Sequence, residues 1–461
     1  MKLRLLPLSL AIALTGCSMA PQHEQPPAPQ AAAWQTAETA QTQLPEWQSF
    51  FADDNLRLLI QTALDNNRDL RAAALNVESF RALYRIERSA LMPDVAIGGG
   101  GQRQRIPGTL TPDGQSTTSS QYDASIGITS WEVDFFGRLN SLRTQALENY
   151  LASEQAQRSA ELSLIAAVAT AWLEHSANLE LLQISEDTLT SYNDSLDAVQ
   201  KRYDADVASA LELQQALTAR DAAMSSLAQI KRQTVASRNA LQLLLGTQVP
   251  ELEFAEQPLD AVQLAALPAG LPAELLQRRP DILQAEHQLR AANANIGAAR
   301  AAFFPSISLT ATAGTASSEL SDLFGSGSGT WLFRPQINLP IFTGGRLRAS
   351  LDYSKLQKDM RIAQYEQAIQ TAFQEVANGL SARSTYHEQL QAQDNLLQSS
   401  KAYLDLAQKR YDQGVDNRLT LLDAQRTYFN TRQQRVATKM AQLASEISLY
   451  KALGGGYGAS D

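Results

Sequence analysis

Apolar residues along this chain fall into two rhythms. Four short runs alternate apolar with small or polar residues. Val95 and Ile97 lead into the glycine run 98–101, and Ile126 and Ile128 alternate with Ser125, Gly127 and Thr129 before Trp131 and Val133. Ile307 and Leu309 alternate with Ser306, Ser308 and Thr310, and Ile337, Leu339 and Ile341 with Gln336 and Asn338. A period of two predicts strands with one apolar face, here over about 94–104, 122–134, 306–314 and 331–342. The loops between partners, 104–121 and 315–330, are long and polar. The second rhythm is helical. Residues 138–204 hold no Pro or Gly, and 346–412 hold only Gly379; at about 1.5 Å per residue each predicts a rod of roughly 100 Å. A heptad seam runs through Leu182, Leu189, Tyr192, Leu196, Val199 and Tyr203, and recurs at Leu390, Leu397, Leu404, Ala407 and Tyr411. Leu422, Phe429, Val436, Met440, Leu443, Ile447 and Tyr450 continue the spacing, which marks coiled-coil packing.

These rhythms occur twice. Gln200-Lys201-Arg202-Tyr203-Asp204 returns as Gln408-Lys409-Arg410-Tyr411-Asp412, an offset of 208 residues that also places Gly137-Arg138-Leu139 on Gly345-Arg346-Leu347. Upstream the offset is 212, with Asp69 on Asp281, Arg88 on Arg300 and Pro93 on Pro305. A repeat this long determines the architecture. The first copy is expected over 53–246, with a helix, two strands, a long helix 138–204 and a return helix 208–246. A linker 247–270 follows, then a second copy over 271–454 with long helix 346–412 and return helix 417–453, and a tail 455–461.

Composition narrows the setting. Lys2 and Arg4 precede a short apolar core, and Leu14-Thr15-Gly16-Cys17 resembles the bacterial lipobox. That resemblance implies a signal peptide over 1–16, cleavage before Cys17, and diacylglycerol and N-acyl groups on this single cysteine. Ser18, rather than Asp, suggests sorting to the outer membrane. Residues 17–52, with Pro26, Pro27 and Pro29, read as an extended tether. Loss of Lys2 and Arg4 takes the net charge from −9 to −11, a poor balance for nucleic acid. No later apolar run reaches the roughly 18 residues of a spanning helix, so a membrane crossing must use strands. The girdle-like Trp131, Phe135, Phe136, Trp331, Phe333 and Phe342 favour that reading over a soluble hairpin. Four strands cannot close a barrel, and open edges are not tolerated in lipid. Two chains would supply eight strands and three would supply twelve. The four histidines are scattered, no phosphate-cradling glycine motif appears, and no enzyme or cofactor is expected.

The chain resembles the TolC-like outer membrane factors, in the OprM and NodT-type lipoprotein branch. The resemblance is carried by residues 131–139 (Trp-Glu-Val-Asp-Phe-Phe-Gly-Arg-Leu), Arg279-Pro280-Asp281-Ile282, residues 301–305, residues 339–347 (Leu-Pro-Ile-Phe-Thr-Gly-Gly-Arg-Leu) and residues 410–426. It implies a mainly α fold with a β-barrel part: a homotrimer with a twelve-stranded outer-membrane barrel, four strands per chain, on a periplasmic α-helical tube. It also implies an efflux duct partnered by a periplasmic adaptor (membrane fusion protein), an inner-membrane pump of the RND type and outer-membrane lipid. Protein export, metal export or a periplasmic coiled-coil adaptor are the alternatives. By the same resemblance Leu419 and Asp423 form the periplasmic constriction, with Arg426 one turn on to neutralise it. Tyr411, Glu212 and Asp416 fall at positions of a closed-state lock, with a Tyr411–Glu212 bond as its expected contact. An Asp423 ring is a possible cation site; no other metal site is implied. Asp206 stands where the family commonly has a turn glycine.

Overall fold

The computed structural model describes residues 19–22, 24, 26, 44–248, 258–267 and 278–455. Cys17 and the signal segment 1–16 lie outside the described residues, as do 249–257 and 268–270 of the linker and residues 456–461 of the tail. In chain order the elements are α1 (Trp47–Phe50), α2 (Asp54–Asn66), α3 (Arg68–Ser89), β1 (Val95–Ile106), β2 (Thr117–Val133), α4 (Arg138–Asp204) and α5 (Ala210–Leu245). They continue with α6 (Pro280–Ala301), β3 (Ser306–Ser317), β4 (Gly329–Asn338), α7 (Arg346–Asp412) and α8 (Arg418–Ala452). Two compact units result, and neither is a sequence repeat: one takes Met1–Pro27, Asn76–Glu154 and Gln284–Glu366, the other Ala28–Leu75, Gln155–Leu283 and Gln367–Asp461.

The first unit holds one antiparallel sheet in the order β1-β2-β3-β4. Its register sorts the side chains, because directly opposed residues share a face. Val95 and Ile97 face Ile128 and Ile126, which in turn face Ala311 and Ala313; Ile307 faces Ile337, and Ala313 faces Trp331. The alternate face carries Asp123, Ser125, Thr310, Thr312, Arg334 and Gln336. A one-residue slip on β2 keeps this sorting intact. Thr129 pairs with Thr310 and Trp131 with Leu309, so Ser130 is an extra residue, with φ 96°. That bulge moves Trp131 and Val133 onto the apolar face, which parity alone would deny them. The apolar face is exposed: Ile97 is 82% accessible and Trp331 79%. Among the described residues nothing pairs with the outer edges of β1 and β4, and Pro335 sits on an edge strand, where its missing N–H is tolerated.

Two strand ends differ most from the alternation reading. β2 begins at Thr117, because the polar residues 102–105 pair with residues 118–121 and neither face carries an apolar signal. β4 stops at Asn338 rather than 342, just before Pro340, and Gly344 and Gly345 turn the chain into α7 with positive φ. The tether reading over 17–52 is also corrected: at its end Leu44, Phe50 and Phe51 are buried in an apolar core, and its start is held as well. Asn293 Nδ2 donates to the Pro21 carbonyl at 2.7 Å, and Arg300 Nη1 to that of Met19 at 3.2 Å, so this stretch is held on α6.

The second unit is built on helices around one apolar core that includes Phe50, Phe51, Ile60, Trp172, Leu241, Leu245, Ile447 and Tyr450. Phe50 stacks on Tyr450 at 4.2 Å between ring centroids, and the Tyr450 hydroxyl donates to the Pro45 and Gly455 carbonyls. The described part of the linker packs into this core through Leu259, Val262 and Leu267, and pairs Phe51 with Leu264. Arg279, 6% exposed, joins three elements: it donates to Asp281 on α6, to Glu375 on α7 and to the Ala452 carbonyl at the end of α8.

Candidate functional site

The two turns that follow the repeated pentapeptide share one backbone. After α4, Asp206 N donates to the Tyr203 carbonyl and Val207 N to that of Arg202; after α7, Gly414 N donates to Tyr411 and Val415 N to Arg410. Asp206 has φ 58° and Gly414 has φ 72°. Asp is among the few side-chain-bearing residues that enter the left-handed region at modest cost, so the missing turn glycine leaves the geometry unchanged. Ser209 Oγ accepts from Glu212 N to start α5, and Asn417 Oδ1 accepts from Thr420 N to start α8; both are N-caps.

The side chains differ between the copies, and the difference decides which arginine is free. Asp416 accepts two bonds from Arg410, at 2.7 Å from Nε and 2.9 Å from Nη2. This bidentate partner holds the Asp416 carboxyl below its ordinary pKa and raises that of Arg410. The first copy has Ala208 at the matching position, so Arg202 has no such carboxylate. Arg202 Nη1 instead donates to the Tyr411 hydroxyl at 2.7 Å. The Arg202 and Arg418 guanidinium carbons lie 5.6 and 5.7 Å from the Tyr411 ring centroid, within cation–π range. Arg418 is buried, and burial pushes its guanidinium below the usual value while Tyr411 and Glu212 oppose the shift. The expected Tyr411–Glu212 bond is therefore replaced by Tyr411–Arg202. Glu212 Oε2 is buried and has no hydrogen-bond partner among the described residues.

Leu419, Asp423 and Arg426 line one side of a groove of about 570 Å³, with Leu211, Gln215 and Thr218 of α5 opposite and Tyr192 and Phe429 adjoining. Leu419 is 61% exposed. Arg426 Nη2 donates to Asp423 Oδ1 at 2.9 Å, so the carboxylate carries its own counterion in each chain. The groove is asymmetric because the repeat has diverged: Leu211, Gln215 and Thr218 match Leu419, Asp423 and Arg426. Sequence reasoning missed Arg202 and Arg418. The available signal was Ala208 facing Asp416 across the repeat, which leaves one of two identical arginines without a partner.

The profile described as outer membrane efflux protein matches twice, over residues 59–247 and 271–455. The toluene efflux pump outer membrane protein TtgC of Pseudomonas putida is 51% identical over 98% of the chain and 95% of its own length. The crystal structure of a membrane protein from Pseudomonas aeruginosa superposes with a TM-score of 0.90 at 42% identity, covering 96% of the chain and 99% of that protein. The open state of the Neisseria gonorrhoeae MtrE outer membrane channel gives 0.86 at 39% identity, over 95% and 98%.

Proposed function

The chain belongs to the outer membrane efflux protein family, and from that premise we propose a trimeric exit duct whose periplasmic aperture is closed by the second helix pair. The family is a non-enzymatic efflux duct of the outer membrane, and this protein has that role. The observation that carries the gate is the Tyr411 ring held between Arg202 and Arg418, since it joins the ends of α4 and α7 beside the groove. Three chains supply twelve strands and consume the open edges of β1 and β4. Three-fold symmetry turns Leu419 into an apolar ring and Asp423 into a carboxylate ring at the constriction, with Arg426 as the counterion. Removal of Arg426 from Asp423 exposes three mutually repelling carboxylates, which favours opening and attracts cations. Arg410–Asp416 stiffens the second turn. Cys17 carries the lipid anchor, and a periplasmic adaptor and an RND-type inner-membrane pump complete the path. The substrates are small toxic compounds, and relatives are named as outer membrane proteins of toluene, solvent and antibiotic efflux pumps. Gel migration tests the assembly: the trimer resists SDS until heated, and a monomeric band without heating refutes it. Single-channel recording tests the gate: Asp423→Ala lowers cation block, and unchanged block removes the carboxylate ring.

A further inference from the structure

One face of α6 is shaped around a short piece of irregular chain. Asn293, Gly297 and Arg300 are spaced four and three apart, so they lie in one row along the helix. Asn293, buried, donates to the Pro21 carbonyl and Arg300 to the Met19 carbonyl. Between them Ala20 crosses the helix at Gly297. A Cβ at residue 297 would lie 2.8 Å from Ala20 N, 2.9 Å from Ala20 Cα and 2.7 Å from Ser141 Oγ. Only a glycine admits the segment there, with a donor on either side of it reaching the backbone. The internal repeat supplies a control. At the 212-residue offset the first copy has Arg81, Arg85 and Arg88 on α3, all exposed, so the row that seats the chain exists once per protomer.

We infer that residues 19–21 are a strap docked in the Asn293–Gly297–Arg300 seat, making the start of the mature chain part of the folded body. The seat stands on geometry alone; its consequence for lipid placement rests on the reading of Cys17 as the acylated residue. Only Ser18 separates Cys17 from Met19, and the two Cα–Cα steps reach about 7 Å at most. An ideal coil with as many residues as lie from Cys17 to Leu44 would spread its ends over roughly 30 Å on average. The seat therefore confines the acyl group to one place on each protomer.

The test uses the full-length chain in lipid bilayers, with Gln22→Cys bearing a nitroxide. The parent gives an immobilised spectrum. Gly297→Leu makes most of the signal mobile. Asn293→Leu with Arg300→Ala, which leaves the Gly297–Ser141 approach intact, raises the mobile fraction several-fold with an unchanged circular-dichroism melting curve. If Gly297→Leu does not fold, this double variant decides. A mobile parent spectrum, or one that neither variant changes, overturns the strap. Cys17→Ala behind an ordinary signal peptide separates the two readings. An immobilised label without lipid supports the seat, and a label that loosens shows that lipid orders the segment and refutes it. Palmitate incorporation at Cys17 is scored separately, and its absence removes the lipid reading while leaving the seat.

Discussion

Tyr411→Phe removes one hydroxyl from the tie between the two helix pairs and leaves the ring between Arg202 and Arg418. A hydrogen bond from a charged donor contributes about 1.5–3 kcal/mol when shielded from water. The Arg202–Tyr411 bond, 2.7 Å long, sits among exposed side chains, so competition from water reduces it to roughly 0.5–1 kcal/mol per chain. The cation–π contacts at 5.6 and 5.7 Å survive in phenylalanine. With three ties per duct the closed form loses about 1.5–3 kcal/mol, a shift of roughly 10- to 150-fold in the closed-to-open ratio. Planar-bilayer recording at fixed salt reads this as open probability. Tyr411→Ala, which also discards the ring, opens the channel further. Arg202→Ala combined with Tyr411→Phe opens it no more than the stronger single change, because both remove one bond. Unchanged open probability in Tyr411→Phe and Arg202→Ala, or fully additive effects, refutes the tie.

Three further outcomes follow from local structure. Asp206→Gly keeps the turn at φ 58° without loss of stability, whereas Asp206→Val costs about 1–2 kcal/mol in thermal unfolding, since a β-branched residue is strained in the left-handed region. Arg279→Met strips donors from Asp281, Glu375 and the Ala452 carbonyl. Losing a buried ion's partner costs about 3–5 kcal/mol, reduced here to roughly 2–3 because both carboxylates are partly exposed; Arg279→Lys recovers little of it, lacking the bidentate fork. His175 is buried against Ser237, and burial, followed by the charge of Arg238, pushes its ring below the ordinary 6.5. The unfolded chain takes up this proton first, so stability falls as pH drops below 6.5, and melting curves at pH 7.5 and 5 show a smaller difference in His175→Gln.

The long helices were legible because α4 and α7 contain 67 residues each with a sustained heptad seam and at most one glycine. The strands were legible only where one face is apolar. At the distal end of the β1–β2 hairpin both faces are polar, so period-two alternation vanishes although the ladder continues from Arg103–Ser120 to Ile106–Thr117. β4 was read four residues too long because Leu339 and Ile341 keep the alternation past the last ladder pair, Ser306–Asn338. The gate positions came from the family resemblance, but the partner of Tyr411 did not. Arg202 is 209 residues away and looks like any exposed helix arginine, and its availability depends on Ala208 lacking the carboxylate of Asp416. The segment at Met19–Pro21 carries no periodic signal. Its placement comes from Gly297, whose missing side chain is informative only once the neighbouring chain is seen.

This chain is the outer-membrane exit of an efflux path. Intracellular accumulation of a fluorescent efflux substrate tests it directly, in cells with the chain deleted and then restored, beside a strain lacking the inner-membrane pump. Deletion should raise accumulation to the level of the pump-deficient strain, and restoring the chain should return it to the parental level. Accumulation that stays at the parental level on deletion, while loss of the pump raises it, would contradict this role in efflux.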